Sequence, residues 1–180
     1  YENINNKKKI INAGSVYLSK LKKSKKNKIS TDKLTLLYPS GPLRDYMVSL
    51  DEITPEENLS HKKEVVRFVK MLLKKYPALK ILYKPFPGVD FLNDPFVIEF
   101  TEGINQKRVT IVNKHPTRLM LEVDIVLFDM ISTGLAEAFQ IGVPALVYPN
   151  KHEYNYAPLE GKYINDEAFV YDIKSFLDEK

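Results

Sequence analysis

The residues best suited to chemistry lie in one stretch. An apolar run over 124–128 delivers Asp129, followed by Met130-Ile131-Ser132-Thr133-Gly134 and then Glu137. The stretch closes on Gly142-Val143-Pro144 and a second apolar run. This order predicts a buried strand, a tight polar turn, a helix and another buried strand. Ser132 or Thr133 is expected to cap the helix. The first-turn amides of a helix have no intrahelical partner and, with the positive end of the dipole, suit a phosphate. Gly134 removes a side chain where a ligand would approach the backbone. Glu137, one turn in, can accept hydrogen bonds from ribose hydroxyls. Asp129, at the carboxyl end of its strand, is expected to orient the turn by bonding toward Ser132. The plainer alternatives for the same residues are simple capping, a helix stop at Gly142 and a solvated Glu137.

Four other loops bear on the same site. Ser40-Gly41-Pro42-Leu43-Arg44 follows a strand expected at 34–38. Small residues there would admit a diphosphate, and Arg44 would pair with it. No Gly-Lys-Ser/Thr follows, so this is not a P-loop; the alternative is an ordinary Pro/Gly turn. Lys84-Pro85-Phe86-Pro87 follows a strand expected at 80–84, and Lys84 offers a positive charge. His115 precedes Pro116 and reads as a surface residue before a helix, or as a group reaching the base or ribose. Tyr154 and Tyr156 follow the last apolar strand, where they would stack on a base, line a cleft or lie in a surface loop.

The elements that must position these loops alternate. Strands are expected at 34–38, 80–84, 109–112, 124–128 and 144–148. Helices are expected from Thr54 or Ser60 to Pro77, over 116–122, over 132–141 and over 166–177. Residues 89–107 are ambiguous, with 96–100 read as a short strand or an extended loop. Strands separated by helices pair in parallel through crossovers, giving an open α/β sheet covered on both faces. Ligands of such sheets sit beyond the carboxyl ends of the strands.

Composition excludes several function classes. The chain has 180 residues, no cysteine and a net charge of +4. Without cysteine there are no disulfides, thiolate nucleophiles or thiolate metal ligands. His61, His115 and His152 form no closely spaced pair, so no protein-held metal is expected. No apolar run is long enough to span a membrane, and no apolar segment of signal-peptide type follows the early lysines. Residues 1–33 carry ten lysines against Glu2 and Asp32, a charge of +8, which leaves −4 for residues 34–180. This divides the chain into a lysine-rich leader, 1–33, and a domain, 34–180. The leader reads as a solvated linker or connecting helix, with peripheral contact to an anionic membrane as the functional alternative. Arginine and aromatic interleaving is sparse there, so no nucleic-acid partner is expected, though the lysines leave that class open. A chain beginning at Tyr1 is read as a piece of something longer, or as processed or trimmed.

The run from Asp124 to Pro149 resembles the donor-binding half of GT-B glycosyltransferases. The Asp129-Met130-Ile131-Ser132-Thr133 spacing looks like bacterial surface-polymer enzymes of the capsule and teichoic-acid type. The resemblance covers 34–180 in layout and 116–149 in residues. It implies a Rossmann-like open parallel sheet, one half of a GT-B fold, that holds a nucleotide-activated donor for transfer to a surface polysaccharide. Ser40, Gly41, Arg44, Lys84, Asp129, Ser132, Thr133, Gly134 and Glu137 would form the donor site. It also implies a second Rossmann-like domain that supplies the catalytic base, no metal or other cofactor, and a cytoplasmic place at the inner face of the membrane. Related enzymes carry a His-Pro pair where this sequence has Phe86-Pro87. A nucleotide-sugar epimerase of the same fold and a non-catalytic nucleotide-binding or scaffold domain are the alternatives.

Overall fold

Thr54 decides where the first long helix begins. Its hydroxyl accepts the Glu57 amide at 3.2 Å, and the Glu57 carboxylate accepts the Thr54 amide at 2.9 Å. This is a reciprocal capping box, with Pro55 in the first turn where its missing N–H is not needed. The structure, a computed structural model, describes residues 15–21, 34–43, 54–87, 94–101, 107–148 and 170–172. In chain order its elements are α1 (Val16–Ser19), β1 (Thr35–Pro39), α2 (Pro55–Lys75), β2 (Lys80–Lys84), α3 (Pro95–Thr101), β3 (Val109–Ile111), α4 (Pro116–Met120), β4 (Ile125–Phe128), α5 (Thr133–Ile141), β5 (Ala145–Val147) and β6 (Val170–Asp172).

Among the described residues, six strands form one all-parallel sheet in the order β3-β2-β1-β4-β5-β6. This is the strand order of a Rossmann-like fold, and the order reverses between β1 and β4. The period-2 alternation of strand side chains builds two cores. Leu36, Tyr38, Ile81, Tyr83 and Leu127 face α2 and α3, with Val65, Val69, Leu72, Phe96 and Phe100. Leu37, Val126, Phe128, Ala145 and Val147 face α4 and α5, with Leu119, Met120, Ala138 and Ile141. Burial on both faces explains why β4 and β5 read as unbroken apolar runs. At the other end of the sheet, the Asp124 carboxylate accepts the Thr35 amide at 2.8 Å, tying the start of β1 to the start of β4.

Two expectations are corrected. Residues 95–101 form a helix rather than a strand or extended loop. The Asp94 carboxylate accepts the Phe96 amide at 2.9 Å, and its carbonyl accepts the Ile98 amide at 3.0 Å. With the chain so capped, Phe96 and Phe100 fall four residues apart on the buried face, and Ile98 faces outward. The expected final helix over 166–177 is interrupted by β6, which pairs in parallel with β5. Val170 and Tyr171 are β-branched and aromatic, types that favour a strand, and pairing satisfies the outer backbone edge of β5. The remainder of that span lies outside the described residues.

Helix α5 ends at Gly142, which has φ 78° and donates its N–H to the carbonyls of Ala138 and Phe139. A Cβ there would meet nothing within 4 Å, so only the left-handed backbone demands glycine. Gly142→Ala is expected to cost about 1–2 kcal/mol, read as a lower denaturant midpoint with an unchanged slope, and Gly142→Asn should lose less.

Candidate functional site

The reversal between β1 and β4 brings two sequence-predicted loops together. Asp129 leaves the end of β4 and is almost wholly buried. One carboxylate oxygen accepts the Gly41 amide at 2.8 Å; the other accepts the Tyr38 hydroxyl at 2.6 Å. The Lys62 ammonium, also buried, forms an ion pair with the same carboxylate and donates to the hydroxyls of Ser40 and Tyr38. His61, the preceding residue of α2, donates from Nε2 to the Asp129 carbonyl at 2.9 Å and stacks on Tyr148. Consecutive residues of α2 therefore grip Asp129 by its backbone and its side chain. Asp129 is bound toward Gly41, Tyr38 and Lys62 rather than toward Ser132.

Lys62 was not singled out by the sequence. The amphipathic pattern places the lysines of α2 opposite its apolar face, yet Lys62 lies one turn before Val65 and Val66 on the buried side. The available signal was position: a lysine inside the apolar arc of a helix has to find a carboxylate. Burial alone would raise the Asp129 carboxyl, but the Lys62 charge and the hydrogen bonds from Lys62, Tyr38 and Gly41 outweigh it and hold it below its ordinary value. Burial lowers His61 below the usual imidazole range, which keeps the ring neutral and a donor at Nε2.

Gly41 and Gly134 owe their lack of side chains to protein neighbours. A Cβ on Gly41 would lie 2.8 Å from the Met130 sulfur and 2.9 Å from an Asp129 carboxylate oxygen. One on Gly134 would lie 2.9 Å from the Phe128 ring. The two loops thus close on one another, and α5 seats against Phe128. Ser132 takes the N-cap position of α5, but its side chain makes no capping hydrogen bond, and Ser132 and Thr133 are exposed. The start of α5 faces outward beside the Gly41–Asp129 contact with its hydroxyls uncommitted to the cap.

The remaining predicted residues are placed as follows. The Lys84 ammonium donates to the Pro85 carbonyl at 2.9 Å, and Phe86 is exposed. The Glu137 carboxylate accepts the Thr117 hydroxyl at 2.8 Å and the Tyr17 hydroxyl at 2.9 Å. His115 is an exposed residue at the N-cap of α4, without a side-chain cap bond. Arg44, Tyr154 and Tyr156 lie outside the described residues. A separate groove of about 450 Å³ between α2 and α3 is lined by residues such as Lys63, Arg67 and Ile98, and none of the predicted site residues borders it. Among the described residues, no helix is long and apolar enough to cross a membrane.

The buried pair makes two stability predictions. Asp129→Asn leaves the Lys62 charge without its partner and is expected to cost about 3–5 kcal/mol, whereas Asp129→Leu with Lys62→Met should recover most of the loss. Acidification should act in two stages. Unfolded His61 takes up a proton near 6.5 that the folded ring resists, so stability falls first as pH drops below that value. The Asp129 contribution is present above 3.8 and is lost as pH falls through its depressed folded pKa. Urea midpoints measured across this range should lose the first stage in His61→Gln; retention of that stage would contradict the assignment.

No family model and no curated protein matches the chain. Thirteen solved chains match it in structure. One is Thermosulfurimonas dismutans KpsC, described as a beta Kdo 2,4 transferase, at 14% identity and a TM-score of 0.41 over 72% of this chain. The match spans 39% of that protein's length. At that identity and TM-score the likeness is distant, and the α/β fold rests on the sheet itself.

Proposed function

We propose that the chain is the donor-binding part of a glycosyltransferase that moves a sugar or related group from a nucleotide-activated donor to a surface polysaccharide. The observation that carries this reading is the start of α5, which stands beyond the carboxyl ends of the strands, beside the β1/β4 reversal, with Ser132 exposed and not capping. That is where doubly wound sheets bind anionic ligands. The first-turn amides and helix dipole would hold the donor diphosphate and stabilise charge on the leaving phosphate. The Ser132 and Thr133 hydroxyls would add donors, and Arg44 and Lys84 would add positive charge. Gly41 and Gly134 shape this floor, Asp129 and Ser40 fix the loop beside it, and Glu137 would read the ribose.

The acceptor, its activating base and a second Rossmann-like domain belong to this proposal, as does a peripheral place at the inner face of a membrane. The chemistry needs no metal when amides and cations neutralise the leaving group. A second reading, a nucleotide-binding domain without transfer chemistry, is favoured by Phe86 standing where related enzymes carry histidine and by Lys84 turned onto the Pro85 carbonyl.

Calorimetric and thermal-shift titrations with UDP, CDP, CMP and GDP test the site. A nucleotide at 100 times its Kd should stabilise the fold by about 2.7 kcal/mol. Because Ser132 makes no cap bond, Ser132→Ala with Thr133→Ala should change stability little yet weaken nucleotide binding by about tenfold or more, the scale of hydrogen bonds to a charged group. Failure of all four nucleotides at millimolar concentration would sink the donor reading.

A further inference from the structure

The short helix α1 lies against α5, and Leu21 just after it packs onto the core beneath α4 and α5. Both oxygens of the Glu137 carboxylate are engaged, but by partners of different kinds. Thr117 is half-buried on α4, which belongs to the same layer as α5, and it donates to Oε2. Tyr17, a residue 52% exposed, donates to Oε1 from a four-residue helix that buries none of its own residues. A helix that short does not hold itself together. Its place on α5 therefore rests on a few contacts, with the Tyr17 hydroxyl the polar one at Glu137. Thr117 holds Oε2, and Oε1 faces Tyr17 of α1.

A phenol O–H on a carboxylate is the same chemistry as a ribose O–H on a carboxylate, a neutral hydroxyl donating to an ionised oxygen. We propose that Tyr17 is a built-in occupant of the ribose position at Glu137, so that the leader and the nucleoside compete for one carboxylate oxygen. The proposal rests on the donor-binding reading of Glu137 and adds a means of control. With the leader seated, the ribose has no acceptor; when α1 lifts off, Oε1 is exposed and Thr117 keeps it aimed. The apparent affinity for a nucleotide is then reduced by the fraction of molecules with the leader seated.

The test is a titration of the full 180-residue chain and its Tyr17→Phe variant with CMP, CDP, UDP, GDP and inorganic pyrophosphate. Tyr17→Phe removes only an exposed hydroxyl and leaves the core untouched. The nucleotide that binds should bind the variant about three- to tenfold more tightly, the range set by one hydrogen bond. Pyrophosphate has no hydroxyl to compete and should bind both chains alike. Trypsin should cut at Lys20 faster when the nucleotide is bound, and faster in the variant without it. Equal nucleotide affinities with unchanged cleavage overturn the competition and leave the donor reading standing. An equal gain for pyrophosphate overturns it too, since the leader would then be blocking the phosphate and not the ribose. Binding of no probe to either chain overturns the donor reading and this proposal together.

Discussion

At the point where the strand order reverses, an ammonium and a carboxylate meet with almost no water around them. Lys62 and Asp129 are each about 3% exposed. Two isolated charges would not survive there, because the loss of hydration for each is several kcal/mol. They persist because the remaining hydrogen-bonding capacity is taken up: Gly41 and Tyr38 donate to the carboxylate, and the ammonium also donates to Ser40 and Tyr38. The pair thereby joins three parts of the chain that are distant in sequence: the end of β1 with the loop after it, helix α2 and the turn after β4. The loops after β1 and β4 are placed relative to this knot. Such a pair adds little net stability beyond what an apolar replacement gives, but breaking it is costly, so arrangements of the two loops that part Lys62 from Asp129 are penalised.

The knot also bears on how the site would work. A phosphate-holding helix start is useful only if its amides point at a fixed place, since preorganised dipoles act without reorganising when charge develops. The turn from Asp129 to Ser132 is held at its beginning by His61 and Lys62, and α5 is seated against Phe128. The exposed hydroxyls of Ser132 and Thr133 then project from a rigid base. Aromatic packing extends this rigidity outward. Tyr38, Tyr83, Phe96 and Phe100 form a continuous ladder of ring contacts 4.2–5.2 Å apart, passing the Asp94-capped start of α3 and ending at Phe100 in its last turn.

Much of the architecture was legible in the residues. Period-2 and unbroken apolar runs marked β1, β2, β4 and β5. Thr54, Pro55 and Glu57 marked the start of α2, and Gly142 marked the end of α5. These signals are local, because capping and left-handed turns depend on neighbours within four residues. The two misreadings have different causes. Over 96–100 the short run Phe96-Val97-Ile98-Glu99-Phe100 suits a strand or a helix, and the Asp94 cap with the outward-facing Ile98 reveals the helix. Over 170–172 the strand exists by pairing with β5, a partner more than twenty residues away.

By itself, the sequence determined the alternation of elements, the parallel sheet they imply and the carboxyl-edge location of the loops worth watching. Periodicity and capping are properties of a segment, and a segment carries them wherever it goes. Only the tertiary structure decided whom each charged or small residue meets. Asp129 could have bonded its own turn; folding gave it Lys62. Gly41 and Gly134 could have made room for a ligand; folding showed Met130, Asp129 and Phe128 against them. Glu137 could have faced water; folding set Thr117 and Tyr17 on its two oxygens. The physical reason is that a hydrogen bond or ion pair needs its partner within a few ångströms, and sequence spacing does not encode that distance across a sheet.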